Sequence, residues 1–403
     1  MGSPASGASA MPAPMGPLPP FGSDIPRSTA AVASAASVIP ASGAPTAASS
    51  TPTISSATAM PVAPLPPGVV GSGVGASAAA AGEVVRSALP DALLASATQL
   101  VYQLLHDSRL YPFLDWCVGV FQTPSGVETV VVSSEGAGYI PAGVFLPRSA
   151  RTLYSNPGLT NAFRARWFAW ANPAQPMLAY AELLADHNPN IKLYALAASN
   201  SQGGSSLPAR DAGVVHFEDC SLMTSPIPRD AEPSELDERH VHRLETFDAA
   251  LYARVTDVGG PNPPDRSETW KATLAAAQKV LERTGPLRDL TVPPVIREIL
   301  HALTRGVAVS EERWNELEME HLTAAANSAA HRPGRMLESD GASPYARAHH
   351  NLARVCELLA MWRDRTPKYP EIEYVIAQIN LEAELWPSGG GVWQENEGVA
   401  SRG

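Results

Sequence analysis

The stretch from Trp116 to Val132, WCVGVFQTPSGVETVVV, decides the fold. Residues 116–122 and 127–132 are rich in β-branched and aromatic side chains, and Pro124-Ser125-Gly126 between them has turn chemistry. Two such runs around a short break read as a β-hairpin. On the N-terminal side, Leu93, Leu94, Leu100, Val101, Leu104 and Leu105 predict a helix over 84–105. Pro90 kinks that helix or makes it restart at Asp91, a good N-cap. On the C-terminal side, Val144-Phe145-Leu146, bracketed by Pro141 and Pro147, predicts a third strand. A helix over Pro176 to His187 and strands at Ile191–Ala198 and Val214–Phe217 follow. The sum is a mixed sheet of about five strands, an ordinary size.

Beyond residue 233 the apolar period changes from that of strands to that of helices. Ser234 with Asp237 looks like a capping box opening a helix that runs to Val255, with Leu244, Phe247 and Leu251 on one face. Asp265 with Glu268 opens the next, striped by Trp270, Leu274, Ala277 and Leu281. A third carries Val295, Ile296, Ile299, Leu300 and Leu303 and is closed by Gly306. Ser310 caps a fourth, and Ser343-Pro344 starts a fifth, with proline at the tolerated first position. A sixth runs from Pro370 to Trp386 and stops at Pro387. Six amphipathic helices with mostly short links argue for a compact bundle.

From Met1 to Gly82 the only charged side chains are Asp24 and Arg27 among Ala, Ser, Pro, Gly and Thr. Such a segment buries too little apolar surface to offset the entropy of ordering it. Its proline clusters at 17–20 and 64–67 favour extended spacer conformations, and they also match the P-x-x-P pattern of docking ligands. The expected fold class is therefore α+β in four parts. A disordered arm covers 1–82, a small mixed-sheet α/β domain 83–233, an all-α helical bundle 234–387 and a flexible tail 388–403.

A net charge of -11 over 403 residues argues against a surface that tracks phosphates or an anionic membrane. No stretch approaches the ~18 apolar residues of a membrane span. The run from Ser77 to Leu105 is broken by Glu83, Arg86 and Asp91, and the first residues lack the basic and apolar regions of an export signal. Cys117, Cys220 and Cys356 are far apart and form no C-x-x-C, so they read as small buried hydrophobes, with Cys117 and Cys220 the one pair left open.

No catalytic constellation is spelled out. The Gly-rich turn from Ser133 to Tyr139 places Ser134 beside Glu135, a nucleophile next to a base, and His216 is the histidine the fold would have to bring to them. The competing reading is a turn that glycine permits. Arg164 to Trp170 mixes basic and aromatic residues as single-strand binders do, or packs as a helix face. Glu318 and His321 form one E-x-x-H, the half-motif of a carboxylate metal site, but the second pair and its glutamates are missing. His240/His242 and His349/His350 read as solvated or helix-flank residues. No cofactor motif is present: Gly71, Gly73 and Gly75 fail the dinucleotide spacing.

The segment from Val132 to Pro147, VSSEGAGYIPAGVFLP, resembles the mycobacterial alanine/proline-rich proteins whose paired C-terminal domains have no known function, some encoded near type VII secretion loci. The resemblance implies a context and supplies no catalytic residue. Substrates of that system carry a W-x-G turn followed by Y-x-x-x-[DE]. Tyr111–Asp115 and Tyr369–Glu373 match the second element, and no W-x-G exists. The expected function is a non-enzymatic adaptor or chaperone-like accessory protein for type VII secretion or cell-envelope processes, with a protein partner and no nucleic acid. An enzyme with a site in the interdomain cleft and a secreted effector are the alternatives. The expected location is the cytoplasm, with envelope association or type VII export as the other readings.

Overall fold

The computed structural model describes residues 92–201, 206–221, 225–260, 263–285, 287, 290–334, 341–364 and 366–387. The expectations for the arm, for the tail and for the helix turn before Ala92 lie outside these residues. Helix α1 covers 92–107. Its Ala97, Val101 and Leu104 fall at helical spacing on one face and are buried. The hairpin forms as expected, with β1 at Trp116–Thr123 and β2 at Gly126–Ser133, paired antiparallel from Trp116 opposite Ser133 to Thr123 opposite Gly126.

Strand β5 (Lys192–Ala198) pairs antiparallel with the other edge of β1. Two short strands, β4 (Ala150–Thr152) and β6 (Phe217–Asp219), run parallel to β2 and β5, giving the order β4-β2-β1-β5-β6. Side chains alternate across this sheet with a period of two. Trp116, Val118 and Val120 enter one core while Cys117 and Phe121 enter the other. Both faces are buried, which explains the nearly unbroken apolar run of the hairpin. Gly119 sits where α3 (Ala174–His187) presses on the sheet, and an added Cβ would stand 2.8 Å from the Met177 sulfur.

Two strand expectations need correction. Leu146–Pro147 (β3) leaves the main sheet and pairs with β7 (His240–Val241), because Pro147 has no N–H to continue a ladder. The strand at Val214–Phe217 starts later, as β6. Val214 N–H is still bonded to Ala209 at the end of α4 (Ser206–Asp211), and the ladder begins only with His216 C=O accepting from Leu196. β4 had no signal of its own.

One helix expectation is also overturned. Ser234 to Arg239 form no helix; Asp237 instead folds a local turn, accepting from the N–H groups of Arg239 and His240. The helix begins at Arg243 and breaks at Asp248, whose extended backbone ends α5 (Arg243–Phe247) and whose carboxylate caps α6 (Ala249–Thr256) through Leu251 N–H at 2.9 Å. The later caps fall where expected: Asp265 on α7 (Arg266–Thr284), Ser310 on α9 (Glu311–Ala330) and Ser343 on α10 (Pro344–Ala360). Gly306, with φ +66°, follows α8 (Pro294–Thr304), and α11 covers Tyr369–Leu385. A short α2 (Asn161–Arg166) completes the helices.

The sheet and the later helices share apolar cores. One runs from Trp116 and Val118 through Tyr139 and Ile140 to Leu352, Val355 and Leu358 of α10 and Val375 of α11. The other joins Phe121 and Phe168 to Leu381 and Leu385 of α11. All three cysteines are buried free thiols; Cys117 and Cys220 belong to different cores. A shared core couples the two halves. Hydrogen exchange of the β1 and α10 amides in rising urea should report one global opening with a common free energy. Two openings with distinct urea dependence would instead mark a folding boundary near residue 233.

Candidate functional site

The loop that follows β2 carries the sequence's best catalytic pair, and the fold turns it inward. Ser133 Oγ donates to Tyr139 C=O at 2.7 Å, closing the loop on itself. Between them lies one 3₁₀ turn, Gly136–Gly138, with Ala137 at φ 50° and Gly138 at φ 66°. The loop lies so close to α10 that a Cβ on Gly136 would stand 2.5 Å from the Phe168 ring and 2.7 Å from His350. Glu135 and Ser134 are almost fully buried.

Glu135 is surrounded by donors. Arg332 Nη2 reaches Oε2 at 2.7 Å, while His350 Nδ1 at 2.7 Å and Ser328 Oγ at 3.1 Å reach Oε1. Burial alone would raise this carboxyl, but Arg332 and the His350 hydrogen bond outweigh it and hold Glu135 well below the usual carboxylate range. Ser134 Oγ accepts from Asp115 N–H at 3.0 Å and from Arg332 Nη1 at 2.9 Å. A buried hydroxyl whose oxygen accepts twice, beside a carboxylate pinned in its ionised form, is poorly placed for proton abstraction and attack.

The network continues through Tyr111, whose hydroxyl accepts from Arg354 Nη2 at 2.7 Å and lies 3.5 Å from Glu135. Arg354 lies over the Tyr139 ring, 3.3 Å from its centre, and pairs with Glu357. Glu357 accepts from Tyr139 Oη at 2.7 Å and from Arg243 Nη2 at 2.9 Å. Arg243 also donates to Ile140 C=O at 2.8 Å and to Glu371 at 2.5 Å. Tyr374 Oη closes the loop's far end by accepting from Ile140 N–H at 2.9 Å. Three guanidinium groups (Arg243, Arg332, Arg354) thus face three carboxylates (Glu135, Glu357, Glu371).

His216 is not part of this cluster; it stacks on Tyr194 with ring centres 6.2 Å apart. His350 stands where the sequence reading placed His216. Of the reading of His242 and His350 as solvated or helix-flank residues, the solvated part fails, since both are buried, one 3.3 Å from Glu371 and the other on Glu135, while His242 does flank a helix as the N-cap of α5. Of the metal candidates, Glu318 is exposed on α9 while His321 turns inward, its ring edge-on to Tyr111. Burial lowers the His321 pKa, and its Nε2 has no hydrogen-bond partner among the described residues. The Tyr111–Asp115 motif is internal as well, since Asp115 accepts from Ser199 and Ser201. Arg164 in the basic–aromatic run donates to the carbonyls of Tyr154 and Asn156, and Phe168 is fully buried. A shallow groove of about 500 Å³, lined by Lys279, Arg283, Asn380, Ala383, Glu384 and Pro387, contains none of these groups.

The residues that sequence reasoning missed are Arg243, Arg332, His350, Arg354, Glu357 and Glu371. One signal was available: His350, Arg354 and Glu357 interrupt a helix whose neighbours at Leu352, Val355 and Leu359 are apolar. Polar groups at helical spacing inside an apolar stretch point to a buried network.

Two outcomes follow from the geometry. Arg332→Met leaves the Glu135 carboxylate buried without its guanidinium, and loss of one partner of a buried pair costs about 3–5 kcal/mol, readable by urea unfolding. Acid should unfold the protein through the carboxylates. Burial raises Glu371, but Arg243 and the His242 hydrogen bond pull it from 4.5 to about 2. A depressed folded pKa gives stability that is present above the unfolded value and lost as pH falls through the folded one. Unfolding free energy should drop between about pH 4.5 and 2, by ~3 kcal/mol for this group. Glu371→Gln should flatten that part of the profile.

Comparison with known proteins places the chain in a family. The EspK C-terminal domain model matches residues 106–340, more than half of the chain. A solved fragment of the conserved hypothetical protein Rv3899c (residues 184–410) from Mycobacterium tuberculosis is similar at 14% identity. The similarity covers 77% of this chain and 98% of that one at a TM-score of 0.38. No curated protein matches the chain. The segment from Val132 to Pro147, which carries the likeness to mycobacterial type VII-associated proteins, lies within the matched span and forms the loop that the buried network holds. This chain belongs to the EspK C-terminal domain family.

Proposed function

We propose that the chain is a non-enzymatic accessory protein of type VII secretion, acting as an adaptor or chaperone for a protein client. The observation that carries this reading is the family match over residues 106–340. The site geometry supports it, because Ser134 and Glu135 are consumed by internal bonds and sealed from solvent. No helix among the described residues is long and apolar enough to cross a membrane.

The test is a deletion strain complemented with the full-length protein, with type VII substrates quantified in the culture filtrate. Loss of one or a few substrates, their crosslinking to the tagged protein, and full rescue by Ser134→Ala are the expected results. Unchanged secretion in the deletion strain would sink the proposal. Failure of a folded Ser134→Ala variant to rescue would point to catalysis instead.

A further inference from the structure

The outer face of α9 leaves large apolar side chains in water. Met319 is 62% exposed and Leu322 36%. With the exposed Asn315 and the half-buried Ala326 they recur at intervals of four, three and four residues, which sets all four on one stripe. The stripe runs roughly 16 Å along the helix, about three turns. A surface helix ordinarily turns its one apolar stripe to the core. In α9 that work is done by Trp314, Leu317, Ala324 and Ala325 on the other face, so the outer stripe is a second one.

The loop between α1 and β1 runs along this helix. The Tyr111 ring stands edge-on to His321 with centres 6.1 Å apart, and Phe113 C=O accepts from Arg332 Nη1 at 2.5 Å. The same loop exposes Leu110 by 86% and Phe113 by 56%. Leu110 precedes Tyr111 and Leu322 follows His321, so the two exposed leucines lie at the same level of α9. Phe113 has φ 55°, a region that a bulky residue occupies only where its surroundings impose it, and the Arg332 bond does so. That backbone cost holds an aromatic side chain out in solvent.

We propose that Met319, Leu322 and Ala326, beside Leu110 and Phe113, form a docking surface for one amphipathic helix of a partner protein, basic along the edges of its apolar face. The inference rests on the accessory-protein reading and names the part of the client that is held. Intervals of four and three are those of a coiled-coil seam, whose complement is another helix. The charge of that helix follows from the glutamates. Glu311 and Glu312 in the first turn suit the helix dipole, but Glu316 and Glu318 lie further along and border the stripe. Arg313 is engaged by Glu298 and Glu316. A second copy of this chain would set the same glutamates against these, and like charges across an interface repel. Lysine or arginine at the flanking positions of the incoming helix complements them.

The probe is a fluorescein-labelled three-heptad peptide helix with leucine along its seam and lysine at the flanking positions. Full-length protein is titrated into it at nanomolar peptide and binding is read by anisotropy. Saturable binding of one equivalent is expected, about tenfold or more tighter than for the same helix with glutamate at the flanks. Met319→Asp with Leu322→Asp adds negative charge while removing the stripe, and should weaken binding about tenfold or more. Diffuse attraction of a cationic peptide to an acidic protein would instead be unchanged or strengthened, and would overturn the site. Glu316→Lys with Glu318→Lys should reverse the preference between the two peptides. Unchanged urea midpoints show that these surface variants are folded. Equal binding of both peptides, no binding, or self-association of the protein that the aspartate variant abolishes would each sink the proposal. Binding is read on purified protein, so its failure leaves a secretion defect in the deletion strain standing, and normal secretion there leaves the binding standing.

Discussion

The structure depends on how charges are balanced around one buried helix. Residues 350–359 of α10 are buried without a break, and that run includes His350, Arg354 and Glu357. A helix enclosed on all sides is ordinarily apolar all round. Here the polar side chains are tolerated because the loop after β2 brings Glu135 and Tyr139 to meet them. Arg243 comes from the start of α5 and Arg332 from just past the end of α9. Removing any one of these leaves a charge in a medium where it is not solvated.

Buried ion pairs are weak evidence for stability, since the cost of desolvation offsets much of the attraction. Their better-attested effect is on specificity. An apolar interface between sheet and helices would accept several registers of α10, whereas a guanidinium held over one tyrosine ring and against one carboxylate accepts far fewer. The left-handed backbone at Ala137 agrees with this view. A non-glycine residue in that region costs free energy and persists only where the surroundings over-determine it. Hydrogen bonds to residues 111–115, α5, α9, Arg332, α10 and α11 hold this loop in place.

Much of the fold was legible in the residues. The hairpin, the α7, α9 and α10 caps and the stop after α11 each rest on local chemistry, a side-chain oxygen or a proline, that acts within a few residues. The errors came where distant partners decide. Ser234 and Asp237 have the composition of a capping box, yet Asp237 turns the chain locally and His242 caps the helix instead. Leu146 looks like a sheet strand until Pro147 removes its donor. At the site, Ser134 and Glu135 stand out in the sequence as a candidate catalytic pair, but their partners come from residues about 200 positions later. Pairing over such distances leaves no period or spacing to read.

The family match ends at residue 340, whereas α10 and α11 begin after it. Within the span lie Glu135, Tyr139, Arg243 and Arg332; beyond it lie His350, Arg354, Glu357 and Glu371. A fragment cut there would keep the Glu135–Arg332 pair, leave Arg243 without Glu357 and Glu371, and lose α11, which contributes to both cores. The smallest piece of this chain that can stand alone is set by electroneutrality in the interior, and it is longer than the piece by which the family is recognised.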